Sequence, residues 1–259
     1  MKKRVCVVLL VLAAVLAASC TSGGDGVTPT TNPFIGGTEG LTARFAPDSP
    51  PAAVTDAQIP DTSTFPFNII VLLENVGEAD VLAKQFALVT IRGIFPEDFG
   101  TTSASLSQPL GTNLDRVKKD AEGNKIPGGV GDVKFENLGY VKVLQGNNEF
   151  PIQADVCYNY QTKTVADLCI KEDATKTAAG VCQITGDKPV FNSGAPVQVT
   201  AMKESVAGKN KVVLTFNVKK VGSGEVFRAE APVKCSKGDF SKQNLVFDQL
   251  MTDMSGITC

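Results

Sequence analysis

The chain of 259 residues contains no histidine. That absence removes Ser-His-Asp and Cys-His nucleophilic pairs, histidine metal sites and the usual general base near neutral pH. Tryptophan is absent as well, and with it the commonest side chain for stacking on a sugar. Neither sign of charge is in excess. The net charge is −2 and the pI about 5.3, so the chain lacks the basic surface that phosphates require, and nucleic acid is excluded as a partner. No long Lys/Arg run follows the first four residues. No Asn-x-Ser/Thr sequon and no Cys-x-x-Cys occurs. Helical periodicity is scarce, with Ser241–Met254 the one ambiguous stretch. What is present suits a packed protein: 43% of residues are hydrophobic and 20% charged, enough apolar material for a core. The length predicts two folded units.

The N-terminus reads as a targeting segment. Met1-Lys2-Lys3-Arg4 is a short basic region, and Val5 to Ala18 is almost wholly apolar. This run is short of the ~20 residues that span a bilayer and fits a signal peptide. Leu16-Ala17-Ala18-Ser19-Cys20 resembles a lipobox, with Ala17 where leucine is commoner. Residues 1–20 are therefore expected to be a lipoprotein signal peptide and Cys20 the lipidation site. An uncleaved anchor helix and ordinary cleavage after Ser19 remain open. Residues 21–37, rich in Gly, Thr and Pro with one charge, read as a flexible tether.

A repeat carries the architecture. Phe67, Ile69, Val71 and Leu73 place an apolar residue at every second position and run into Val76-Gly77. Farther on, Val212, Leu214, Phe216 and Val218 do the same and run into Val221-Gly222. The period of two predicts strands with one face in a core, with Ile69 and Leu214 buried at equivalent places. The Val-Gly pairs end each strand and let the chain turn. Further strands are expected at 40–45, 86–94, 140–144, 152–160 and 165–170, then at 197–204, 226–231 and 244–247. Short strands between Gly, Pro and Asn turns favour β-sandwiches. The fold class expected is all-β, with tandem immunoglobulin-like sandwiches over residues 38–176 and 180–259.

The strand followed by Val-Gly resembles the CARDB-like and related immunoglobulin-like modules of archaeal and bacterial surface proteins. The segments FPFNIIVLLENVGEADV, EFPIQADVCYNYQTKTVADLC and NSGAPVQVTAMKESVAGKNKVVLTFNVKKVGSG look like a group of uncharacterised archaeal secreted proteins. That resemblance implies location and fold, and no activity. Such proteins tend to continue past the position of Cys259, so the second unit is expected to be truncated.

Seven cysteines are present. Cys6 lies in the signal and Cys20 is the lipid site, which leaves Cys157, Cys169, Cys182, Cys235 and Cys259. Without histidine or a Cys-x-x-Cys, disulfides in an exported chain are the expected use, and no metal or cofactor is expected. Cys157 and Cys169 both fall out of phase with the apolar residues beside them. A hairpin folded about Lys163 sets them opposite each other, within disulfide range. Cys182 then pairs with Cys235, or Cys235 with Cys259.

Candidate sites are weak. Asp155 and Asp167 flank the expected bridge and could pair for acid–base work, but both read as solvated surface. Asp120, Glu122 and Asn124 could hold calcium, but the spacing is not that of an EF-hand and a turn is the better reading. Tyr158 and Tyr160 could stack on sugars, but their inward phase assigns them to the core. Residues 126–132, IPGGVGD, lack the setting of a phosphate loop. No catalytic residue is assigned and no enzyme is expected. The function expected is a non-catalytic cell-surface protein, anchored to the outer face of the membrane by lipid, acting in display, spacing or adhesion beside other envelope proteins. The alternative is a binding module for sugar, peptide or ion in an envelope transport or secretion system.

Overall fold

The computed structural model describes residues 31–54, 66–177, 182–227 and 231–235. Cys6, Cys20, Cys259, the stretch Ser241–Met254 and the expected strand at 244–247 lie outside the described residues, as does most of the expected tether. Thirteen strands run in chain order: β1 Leu41–Phe45, β2 Phe67–Asn75, β3 Ala87–Arg92, β4 Ser107–Pro109, β5 Lys118–Lys119, β6 Lys125–Ile126, β7 Val130–Leu138, β8 Gln153–Tyr158, β9 Thr164–Ala166, β10 Gly186–Lys188, β11 Val190–Asn192, β12 Val197–Gly208 and β13 Lys211–Lys220. Among the described residues one 3-10 turn, Pro96–Phe99, interrupts them. The all-β expectation holds.

Two antiparallel sheets, β1-β2-β7 and β4-β3-β8, build the main core. Alternation decides which side chains enter it. On β2, Ile69, Val71, Leu73 and Asn75 are buried while the residues between them are half-exposed. Val133, Phe135 and Leu138 come from β7, and Ala87, Val89 and Ile91 from β3. Ala154, Val156 and Tyr158 of β8 pack against the same cluster. Strand β7 was not expected from the sequence. Its alternation of Val133, Lys134, Phe135 and Glu136 carries the same period-two signal, masked at its start by Gly128, Gly129 and Gly131. The expected strand at 140–144 does not form. Val141 N–H bonds to Asp98 O at 2.9 Å, and the Tyr140 ring packs on Phe99, so this segment caps one end of the sandwich as a loop.

The sheet β10-β12-β13 holds the second copy of the repeat. The two copies share their strand ends. Val76 and Gly77 both donate to Gly40 O, at 2.9 and 3.2 Å, just beyond the Leu41–Asn75 pair. Val221 and Gly222 both donate to Pro196 O, at 2.8 and 3.0 Å, just beyond Val197–Lys220. The glycines serve close approach rather than a left-handed turn. A Cβ on Gly77 would stand 2.6 Å from Gly194 O, and one on Gly222 would stand 2.8 Å from Thr38 O. Burial differs between the copies, and here the expectation fails. Ile69 is fully buried, but Leu214 is 38% exposed. The β2 sheet faces a second three-stranded sheet. Among the described residues, the β13 face meets only the small cluster of Cys169, Ala174 and Ile184, through Val212.

The halves are closely joined. Strand β9 pairs with β11 across the expected boundary near residues 177–180, and the chain from Asn32 onward clusters as one compact unit. The end of the expected tether is also fastened. Ile35 and Gly36 donate to Glu78, and Gly37 O accepts from Gln198 Nε2 at 2.7 Å.

Candidate functional site

All four cysteines expected in disulfides are in disulfides, but with different partners. Cys157 joins Cys235, with Cα atoms 5.8 Å apart, and Cys169 joins Cys182 at 5.7 Å. The expected Cys157–Cys169 and Cys182–Cys235 bridges are corrected. The hairpin about Lys163 does not form, because β8 takes β3 as its neighbour, with Leu88 opposite Cys157, while β9 takes β11. Cys157 does lie on the face of β8 away from Val156 and Tyr158, as its phase predicts. That face is covered by the segment bearing Cys235, which is aligned by Val233 N–H donating to Gln85 O at 2.6 Å. Two disulfides in a chain with this little core belong to an oxidising, extracytoplasmic environment.

The polar residues that the core contains are spent on the fold. Asn75 is fully buried. Its Nδ2 donates to Ala79 O at 2.8 Å and Leu114 O at 3.1 Å, and its Oδ1 accepts from Gly77 N–H and from Tyr160 Oη. All four hydrogen-bonding positions of the amide are thus filled. Tyr160 Oη also accepts from Ala79 N–H at 3.2 Å, and Tyr158 Oη accepts from Leu41 N–H at 3.2 Å. Burial raises both phenols above their ordinary value, Tyr160 to about 12. The two rings meet edge to face at 5.7 Å. They are core residues with anchored hydroxyls, as their phase predicted, and not a stacking platform.

The remaining candidates are equally occupied. Asp120 closes the β5–β6 turn: Oδ1 accepts from Glu122 and Asn124 N–H, and Oδ2 from Asn124 Nδ2. The Asn124 hydrogen bond is the main cause of its lowered pKa. The expected turn is there, and its carboxylate is engaged by the turn itself. Asp155 pairs with Arg92 on the neighbouring strand. Asp167 lies past the end of β9, and no hairpin brings it opposite Asp155. Gly129 of the IPGGVGD stretch accepts from Asn75 N–H at 3.0 Å and donates to Asp115 O at 2.8 Å, leading the chain into β7.

Three features escaped the sequence reading. Glu78 holds a cradle of three backbone N–H groups: Ile35 at 2.9 Å, Gly36 at 2.9 Å and Gly194 at 2.6 Å. Glu204 is fully buried against Lys188 Nζ at 3.0 Å. At the far end of β2, Phe99 packs edge to face with Phe67, Tyr140 and Phe150. Beside that ring cluster, Phe95 is 72% exposed and Val141 and Val143 are exposed too. A glutamate in an alternating strand gives no sequence sign of burial, which depends on the partner chain that covers it. Among the described residues, no group of three His, Cys, Asp or Glu is arranged to hold a metal ion, and no described helix is long and apolar enough to cross a membrane. Comparison with family models, with curated proteins and with solved structures finds no match.

Proposed function

We propose that this chain is a non-catalytic extracytoplasmic protein, anchored by lipid at Cys20, that displays or spaces a rigid β-sandwich surface at the cell envelope. The observation that carries this reading is the pair of disulfides, which fit an exported chain. The lipobox-like Leu16–Cys20 supports the anchor. Immunoglobulin-like modules are the finer fold reading, supported by the shared Val-Gly strand ends. Polar groups here hold segments together, the buried Asn75 and the half-buried Glu78 among them, which suits a structural role.

A binding role, in adhesion or as an accessory to an envelope machine, is favoured by the exposed Phe95, Val141 and Val143. They sit at the Phe67 end of β2, whereas the residues that receive the chain from the tether lie at its Asn75 end. The nine residues of β2 separate these poles by roughly 27 Å. The exposed patch and the Ile35–Gly36 attachment to Glu78 thus lie toward opposite ends of β2.

Detergent phase partitioning and surface proteolysis of intact cells test the reading. The native protein should enter the detergent phase and be shaved from cells, and Cys20→Ala should move it to the aqueous phase. A Cys20→Ala protein that stays with detergent would overturn the lipid anchor, and resistance to shaving would overturn the outward location.

A further inference from the structure

We propose that Lys188 and Glu204 condense to an intramolecular isopeptide bond. The two residues sit on adjacent antiparallel strands, β10 and β12, where Lys188 is opposite Met202 and Glu204 is opposite Gly186. They are therefore diagonal neighbours on one face, within reach of long side chains. Gly186 has no side chain, which leaves Lys188 room to lean across. Nζ lies 3.0 Å from Oε2, with the lysine side chain 12% exposed and the glutamate 0%. Lys188 Nζ is also held by Gln183 O. This proposal does not depend on the lipid anchor or on any binding role.

The two carboxylate oxygens are not equivalent. Oε2 accepts the Cys169 N–H at 3.1 Å, whereas Oε1 is buried with no hydrogen-bond partner. Leaving a buried charged oxygen unpaired is costly, and an ion pair out of water regains its desolvation penalty only when every group is satisfied. Transfer of one proton from the ammonium to Oε1 converts the pair to a neutral amine and a carboxylic acid.

The neutral amine is placed to attack Cδ. As the N–C bond forms, negative charge develops on Oε2, where the Cys169 N–H already points. A second proton passes from nitrogen to the Oε1 hydroxyl, the C–Oε1 bond breaks, and water leaves. One ammonium and one carboxylate become one amide and one water. Charge balances, no electron is transferred, and no co-reactant is needed. Well-oriented intramolecular groups reach effective concentrations of about 10⁵–10⁸ M, which lowers the barrier to a condensation that is very slow for free amines and acids in water. The product removes both buried charges and the partnerless oxygen.

Mass spectrometry of the purified full chain, after reduction and alkylation, tests this. The expected result is a protease-resistant pair of peptides joined through Lys188 and Glu204, lighter than their sum by one water, about 18 Da, with no cleavage at Lys188. Lys188→Arg preserves the ion pair but cannot condense, because the guanidinium stays protonated. Its peptides should appear separately at full mass. Recovery of the unmodified Lys188 and Glu204 peptides from native protein that carries both disulfides would overturn the proposal and leave an ion pair only.

Discussion

Tyr160 Oη donates to Asn75 Oδ1 across 3.1 Å, and the same oxygen would stand 2.2 Å from a Cβ on Gly77. One hydroxyl thus completes the buried amide and fills the space that the glycine leaves. Tyr160→Phe should leave Asn75 Oδ1 with only the Gly77 N–H and Ala79 N–H without an acceptor. The expected loss is about 1–3 kcal/mol, read as a lower urea midpoint at unchanged slope. An unchanged midpoint would show that the network is not formed.

The same hydroxyl predicts an alkaline limit. Burial raises the Tyr160 pKa from 10.0 to about 12 in the folded state. A folded pKa above the unfolded one means that the folded protein keeps a proton which the unfolded chain releases. The Tyr160 contribution is therefore fully present below pH 10 and is lost as pH rises through 12. The stability gap between native protein and Tyr160→Phe should narrow over that window. Parallel melting curves at every pH would refute the assignment, since the other titrating groups are common to both proteins.

Gly77 and Gly222 allow close approach at equivalent strand ends, and substitution should show it. Gly77→Ala places a methyl against Tyr160 Oη and Gly194 O, and Gly222→Ala places one 2.8 Å from both Pro196 Cβ and Thr38 O. Overpacking of this kind costs about 1–3 kcal/mol. Gly224 has nothing within 4 Å of its Cβ position, so Gly224→Ala should be nearly neutral. Equal effects at the three sites in thermal melts would remove the packing explanation.

These glycines also mark how far the sequence could be read. Period-two alternation located β2, β3 and β8, whose inward faces meet apolar partners, and also β12 and β13, which bury far less. The Val-Gly repeat was real, but for a reason that the sequence does not display: the atoms that crowd Gly77 come from Tyr160, Gly194 and Glu39, all distant in the chain. Leu214 and the cysteine pairing were misjudged for the same cause. Alternation says which residues share a face, and not which chain covers it. Cys157 lies on the expected face of β8, yet its partner arrives from residue 235, because β9 pairs with β11 instead of folding back on β8.

The disulfides should differ in weight. In the chain-entropy account, Cys157–Cys235, with a separation of 78 residues, contributes about 4.5 kcal/mol, and Cys169–Cys182, with a separation of 13, contributes about 3. Paired Ser substitution at Cys157 and Cys235 should thus lower the melting temperature more than the same change at Cys169 and Cys182. Non-reducing peptide mapping checks the pairing itself, and a Cys157–Cys169 peptide would restore the hairpin.

Glu78 should govern where the tether ends. Its carboxylate accepts Ile35 N–H on Oε1 and the Gly36 and Gly194 N–H groups on Oε2, while Glu78 N–H donates back to Gly194 O at 2.9 Å. Glu78→Ala removes both acceptor oxygens, and with them all three hydrogen bonds, at once. Glu78→Gln replaces one oxygen with a donor that faces an N–H group. Hydrogen bonds to a charged group contribute about 1.5–3 kcal/mol each, and three that share one carboxylate contribute less than their sum. The main core does not include Glu78, so the expected effect is local. Amide exchange at residues 35, 36 and 194 should accelerate, and proteolysis should begin between residues 34 and 37 before the sandwich unfolds. Alanine should release the segment fully and glutamine in part. Unchanged exchange at all three amides in Glu78→Ala would show that other contacts, such as Gly37 O with Gln198, hold the segment without the carboxylate.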